Sequence, residues 1–236
     1  MINKIALDII KHFGTSTFIE TGTDAGETAL YIKENCPSVR VVTVDINQPV
    51  QFPEIEVVQS DSVDFLREYY FHGNKAMFYL DAHSYNVSPL HNELRQIRQY
   101  EKAIILVDDF LVPFHWAHKF DLYQNEANCW YRIKHLFTGR KVRMMYPCQA
   151  NRDSRGTGIL FVGYDTLPAL DWFEHRCNDY LWMWTIEATW KVWQRMKRIS
   201  IPRMPETTPL EKILTGIIGM LVLILALACT GKFNLL

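Results

Sequence analysis

Several things are missing from this chain of 236 residues, and each absence narrows its function. No G-x-G-x-x-G follows any strand-like run, which argues against a dinucleotide cofactor such as NAD or FAD. The five cysteines are an odd, scattered set without paired spacing, so neither a disulfide framework nor a zinc knuckle is expected, and a reducing compartment is. Net charge is −1, which argues against nucleic acid as a partner. There are no repeats and no low-complexity tract. The amino terminus shows no apolar signal region; Met1 to Lys4 leads instead into an amphipathic helix. Charge is absent from 213–231, and that absence matters most for where the protein works.

What is present begins with the stretch from Thr17 to Leu30, TFIETGTDAGETAL. An apolar β-type run ends in Glu20, passes through a turn punctuated by Gly22 and Gly26, and becomes helix-forming. Glycines there let a backbone approach a ligand closely, and the helix start offers free N–H groups. A second strand-like run, Val39 to Ile46, is rich in β-branched residues and carries Asp45 at its end. A third, Ile55 to Gln59, is followed by Ser60-Asp61-Ser62, a good N-cap for a helix from Val63 to Tyr70. Ala76 to Leu80 then ends in Asp81-Ala82-His83, and Ala103 to Val107 ends in Asp108-Asp109. A helix over 88–99 separates them, with Leu90, Leu94 and Ile97 on one stripe. Lys141 to Gln149 and Thr157 to Tyr164 form two further strands around the turn 151–156.

Strands alternating with helices imply an α/β fold with a parallel sheet and ligands at the strands' carboxyl ends. Asp81, Asp108 and Asp109 would then converge on one crevice. Clustered carboxylates are costly unless a cation sits among them, and Mg²⁺ is the default hard ion for oxygen donors.

The glycine turn, Glu-x-Gly-x-x-x-Gly, resembles the first motif of class I S-adenosylmethionine-dependent methyltransferases. The two Asp-terminated strands resemble those of the metal-dependent O-methyltransferases, of both the catechol type and the macrocin or sugar type. The resemblance covers residues 1–165. It implies a Rossmann-like, seven-stranded methyltransferase sheet closed by an antiparallel hairpin. It also implies a cofactor site of Glu20, Gly22, Gly26, Asp45 and Asp61, with Asp45 on the ribose hydroxyls and Asp61 near the adenine, although Asp61 is equally readable as a plain helix cap. The metal ligands it implies are Asp81, Asp108 and Asp109. In the sugar-modifying branch the residue two after the first metal Asp is the general base; here that residue is His83 instead of the usual Asp. The lysine that catechol-type enzymes place three residues after that Asp is absent, since position 84 is serine.

Residues 111–140 contain His115, His118, Trp130 and His135 and correspond to substrate-facing loops. Beyond the domain, 166–200 holds five of the seven tryptophans (Trp172, Trp182, Trp184, Trp190, Trp193) interleaved with Lys191, Arg195, Lys197 and Arg198. This composition reads as helical structure at a membrane interface, or as a helix packed on the sheet. A proline-bearing linker, 201–212, leads to 213–231, an uncharged run bracketed by Lys212 and Lys232 and long enough to span a bilayer as a single helix. Basic residues gather before the span, which places the globular part on the cytoplasmic side. Two functional readings follow. One is a membrane-anchored, Mg²⁺-assisted O-methyltransferase acting on a hydroxyl of a small or lipid-soluble substrate. The other is a catalytically silent, methyltransferase-like accessory subunit of a larger membrane complex, for example photosynthetic or respiratory, whose neighbours engage the C-terminal helix.

Overall fold

The structure is a computed structural model that describes residues 2–47, 50–69, 76–83, 87–112, 122–124, 126–147, 156–165 and 173–175. The chain divides into two compact units, Met1–Cys177 and Asn178–Leu236. The second lies outside the described residues, and so do the interfacial segment apart from 173–175, the linker, the 213–231 run, and His115 and His118. Among the described residues no helix is long and apolar enough to cross a membrane.

Five parallel strands form the heart of the first unit: β1 (Thr17–Thr21), β2 (Arg40–Asp45), β3 (Glu56–Gln59), β4 (Ala76–Leu80) and β5 (Ala103–Val107). Every residue of β4 and β5 is buried, as expected of central strands covered on both faces. Their alternation feeds two separate cores. Phe78, Leu80, Ile105 and Val107 face α3 (Ser62–Glu68) and α4 (Leu90–Ile97), whereas Met77, Tyr79, Ile104 and Leu106 face α1 (Ile2–Phe13) and α2 (Glu27–Asn35). In α1 the residues Ile5, Ala6, Ile9 and Ile10 recur at helical spacing and are nearly inaccessible, so the helix lies flat on the sheet. The apolar stripe expected of α4 is present: Leu90, Leu94 and Ile97 are all buried.

Two small elements follow β5: a hairpin of β6 (Leu122–Tyr123) and β7 (Glu126–Ala127), then α5 (Trp130–Ile133) continued by a 3₁₀ turn over Lys134–Phe137. The expected closing hairpin is present as β8 (Val142–Pro147) and β9 (Gly158–Val162). β9 inserts antiparallel against β5. An eighth strand, β10 (Phe173–His175), pairs antiparallel with β8 at the edge. The lateral order is β10-β8-β9-β5-β4-β1-β2-β3. Without β10 this is the Rossmann-like methyltransferase sheet of seven strands. The expected seven strands are all present, and β10 adds an eighth at the edge. Three residues carry too little alternation to be read as a strand, and their aromatic surroundings read as an interfacial helix.

From β1 the chain steps outward to β2 and β3 on one side and returns to β4 on the other. The switch point of the sheet thus lies between β1 and β4, where open α/β sheets bind their ligands.

Candidate functional site

Register determines which residues meet at the sheet's carboxyl edge. Beyond the strands the ladder continues by one bond each: Ser60 N–H to Asp45 O (2.9 Å), Gly22 N–H to Val44 O (2.9 Å), Asp81 N–H to Thr21 O (3.0 Å) and Asp108 N–H to Leu80 O (3.1 Å). Asp61, Asp45, Gly22, Asp81 and Asp108 consequently follow one another along a single rim.

Gly22 has φ +86°, and a Cβ there would lie 2.8 Å from Asp81 O and 3.0 Å from Ala82 N. Both the left-handed backbone and the rigid neighbour require glycine. Gly26 (φ +70°) precedes α2, and a Cβ on it would come 2.6 Å from the ring of Phe52. Between them, Thr23 N–H donates to Asp45 Oδ2 (3.1 Å) while Asn47 N–H donates to Asp45 Oδ1 (2.8 Å). Two backbone donors therefore fix the carboxylate at the end of β2. Glu20 is 2 % exposed. Thr43 Oγ1 donates to its Oε2 (2.7 Å) and accepts in turn from the Thr23 hydroxyl (2.8 Å). Burial pushes the Glu20 carboxyl up to about 8, against the smaller opposing effect of that hydrogen bond. Asp61 caps α3, its Oδ1 accepting from Val63 N–H (2.8 Å) and Asp64 N–H (3.2 Å). The capping half of its dual reading is thus observed.

Beside the glycine turn lies a crevice lined by Asp81, Ala82, His83, Ser88, Glu93, Asp108, Asp109, Tyr123 and Asn128, among others. The ligand atoms of Asp81, His83 and Asp109 lie within 4.8 Å of one another. His83 Nε2 is 3.9 Å from Asp81 Oδ1 and 3.9 Å from Asp109 Oδ2. Asp109 is buried, takes a left-handed backbone (φ +51°), and accepts a hydrogen bond from Tyr123 OH on β6 (3.0 Å). Asp108 turns elsewhere: Tyr79 OH lies 3.4 Å from its Oδ2 and Thr157 Oγ1 3.5 Å from its Oδ1. Tyr79 OH also reaches Asp81 Oδ2 at 3.3 Å. The sequence grouped Asp81, Asp108 and Asp109 as ligands and set His83 apart as a base. The structure groups His83 with Asp81 and Asp109, and Asp108 stands beside them.

Burial and the repulsion among neighbouring carboxylates set the electrostatics of the crevice. Burial, followed by the negative charges of Asp108, Asp109 and Glu20, pushes Asp81 up to about 8. Burial, followed by the negative charges of Asp108, Asp81 and Glu20, holds the Tyr79 phenol well above its ordinary value, so it serves as a donor. Glu93, 1 % exposed, is pushed by burial up to about 7, opposed by the influence of the nearby Ser62 and Thr21 hydroxyls.

Tyr79, Glu93, Tyr123 and Thr157 were not foreseen from the sequence. Glu93 left a signal: a carboxylate standing on the apolar stripe of α4, between Leu90 and Leu94. Tyr123 and Thr157 left none, because their relation to the acids arises only through long-range folding.

No family model matches the sequence, and no curated protein does. Solved structures similar to this chain include the O-methyltransferase TomG of tomaymycin synthesis from Streptomyces achromogenes, in complex with SAM. It is 15 % identical, with 69 % of this chain and 79 % of that one covered and a TM-score of 0.48. Cofactor-bound Rv0187 from MTB is 16 % identical, with 69 % and 80 % covered and a TM-score of 0.46. A SAM-dependent methyltransferase from Archaeoglobus fulgidus is 14 % identical, with 68 % and 94 % covered and a TM-score of 0.45. The fold assignment itself rests on strand order and register.

Proposed function

We propose that this chain is an S-adenosylmethionine-dependent O-methyltransferase, held at a membrane by its C-terminal segment and acting on a lipid-soluble or membrane-presented hydroxyl compound. One observation carries the reading: the glycine turn and the acid crevice abut at the switch point, with Gly22 against the backbone of Asp81. A cofactor lying in the turn would bring its methyl group to the mouth of the crevice.

Each residue of the turn has a part. Asp45, with one backbone donor on each oxygen, keeps lone pairs for the two ribose hydroxyls. Gly22 and Gly26 leave room for close approach, and the first turn of α2 offers N–H donors. Asp61 has one oxygen committed to its cap, and its other oxygen supports the adenine-side role. Glu20 braces the turn from below through Thr43 and Thr23. In the transfer, the acceptor oxygen bonds to the methyl carbon as the carbon–sulfur bond breaks. The electron pair stays on sulfur, and the hydroxyl proton passes to water at the mouth of the crevice. Catalysis of this kind depends on position and on charge.

The donor set of the crevice fits a divalent cation, since buried carboxylates raise one another's pKa until a positive charge joins them. Mg²⁺ is the ion the resemblance implies, with Asp81, Asp108 and Asp109 to hold it. A cation bound there would lower the pKa of the acceptor hydroxyl. The membrane part of the proposal is supported by the uncharged run 213–231 and its basic flank, which favour a cytoplasmic globular part and leave the span free for membrane-protein partners.

The test is calorimetric titration of S-adenosylmethionine into the full chain in detergent micelles. Micromolar binding is expected, weakened about tenfold or more in Asp45→Ala. A folded protein that binds no cofactor would overturn the enzyme reading and leave the accessory-subunit reading. Flotation of the full chain with liposomes, lost when 213–231 is removed, checks the anchor.

A further inference from the structure

His83 is the residue in which this crevice departs from an all-oxygen site. Its Nε2 stands equally far, 3.9 Å, from a carboxylate oxygen of Asp81 and one of Asp109. Three atoms so spaced share a point within about 2.5 Å of each, close to the roughly 2.0–2.2 Å of metal–imidazole and metal–carboxylate bonds. The carboxylates come from different turns, Asp81 after β4 and Asp109 after β5, and Tyr123 holds Asp109 in place through its Oδ2. Asp108 is drawn off toward Tyr79 and Thr157.

A second observation at the same crevice points to a ligand independently of the acids just named. Glu93 lines it from α4, is 1 % exposed, and its Oε1 meets no hydrogen-bond partner among the described residues. A buried carboxyl oxygen without a donor is costly, and a cation or its water would satisfy it.

One imidazole nitrogen with two carboxylates is a donor set for a borderline ion. Imidazole suits zinc, copper, iron and nickel, whereas Mg²⁺ prefers oxygen and keeps its waters. We propose that the crevice binds a first-row transition-metal dication through His83 Nε2, Asp81 and Asp109, in preference to Mg²⁺, with His83 as a ligand and not as the proton acceptor. The proposal rests on the methyltransferase reading only for what the metal would do; the binding itself is independent of it.

Cobalt(II) is the probe, because its visible absorption reports coordination directly. The full chain, stripped of metal, is titrated with Co²⁺, and Mg²⁺ is then added as competitor. The expected results are one Co²⁺ per chain with a nitrogen-shifted spectrum, and no displacement by Mg²⁺ at a hundredfold excess. His83→Gln and Asp109→Asn should each weaken Co²⁺ binding at least tenfold, while Asp108→Asn changes it less than threefold. Retained far-ultraviolet circular dichroism shows that each variant is folded. Displacement of Co²⁺ by Mg²⁺, Co²⁺ affinity unchanged in His83→Gln, or equal losses from Asp108→Asn and Asp109→Asn would each overturn the proposal. S-adenosylmethionine titrated into the same preparations separates this failure from failure of the methyltransferase reading.

Discussion

Replacing Gly22 by alanine tests whether the cofactor turn and the acid crevice are packed as tightly as their backbones indicate. Two costs combine. A left-handed φ of +86° penalises any residue with a Cβ, by about 1–2 kcal/mol. The new Cβ would also sit 2.8 Å from Asp81 O and 2.9 Å from Asp81 C, both backbone atoms, and overpacking against rigid neighbours costs about 1–3 kcal/mol. Gly139 is the natural control. Its φ is +78°, and a Cβ there would meet nothing within 4 Å, so Gly139→Ala isolates the backbone penalty. The entropy that alanine removes from the unfolded chain is common to both and cancels in the comparison. Urea unfolding of the full chain, followed by circular dichroism, should show Gly22→Ala less stable than Gly139→Ala by about 1–3 kcal/mol. Calorimetry should show weaker S-adenosylmethionine binding in the first variant alone. Equal losses of stability in the two would refute the close approach between turns, and unchanged cofactor binding in Gly22→Ala would refute the place of the turn in the site.

The stabilising effect of Glu20→Gln should grow with pH. The folded-state value of Glu20 is about 8 against an ordinary 4.5, so the native protein holds a proton that the unfolded chain releases, and stability falls as pH rises through that window. Glutamine should therefore be near neutral at pH 4.5 and stabilising by several kcal/mol above pH 8, on the order of 4, by denaturant titration at both pH values. Tyr123→Phe removes a buried hydrogen bond to Asp109 and should cost about 1.5–3 kcal/mol, read by thermal unfolding; a loss under 0.5 kcal/mol would mean the phenol does not hold that carboxylate. Asp61→Ala should cost about 1 kcal/mol through loss of the α3 cap, whereas Asp61→Asn should recover most of that; recovery of stability without recovery of cofactor affinity would separate the two roles of the residue.

The sequence revealed the parts of the fold that repeat a local pattern. The apolar runs that became β1, β2, β4 and β5 each finish at an acid or a glycine turn, and a parallel sheet necessarily lines those ends up. The closing hairpin was legible from its two runs and the glycine-bearing turn between them. The composition of the crevice was less legible. Asp108 and Asp109 are adjacent and chemically identical, and only the backbone separates them: the left-handed φ at Asp109 swings one carboxylate toward His83 and leaves the other to Tyr79. Nothing local to an Asp-Asp pair encodes that turn. It is imposed by Phe110, whose N–H donates to Gly156 O (2.8 Å), and by the Phe110 bridge to Asn128. Glu93 was overlooked because its helix was read for its apolar stripe, where one charged residue looks like an interruption. β10 was missed because three residues set no period.

Gly156 is pressed so closely on the Phe110 carbonyl that a Cβ would have no space at all. That contact gives the crevice a history. A growing chain that has emerged as far as Val107 already owns every residue of the glycine turn, together with Asp81 and His83. Asp109 follows at once in sequence, yet the backbone bond that sets its direction waits for Gly156 and the strand after it. The two halves of the site are therefore completed at different moments of synthesis. An intermediate lacking β9 would display a finished glycine turn beside an unfinished acid crevice.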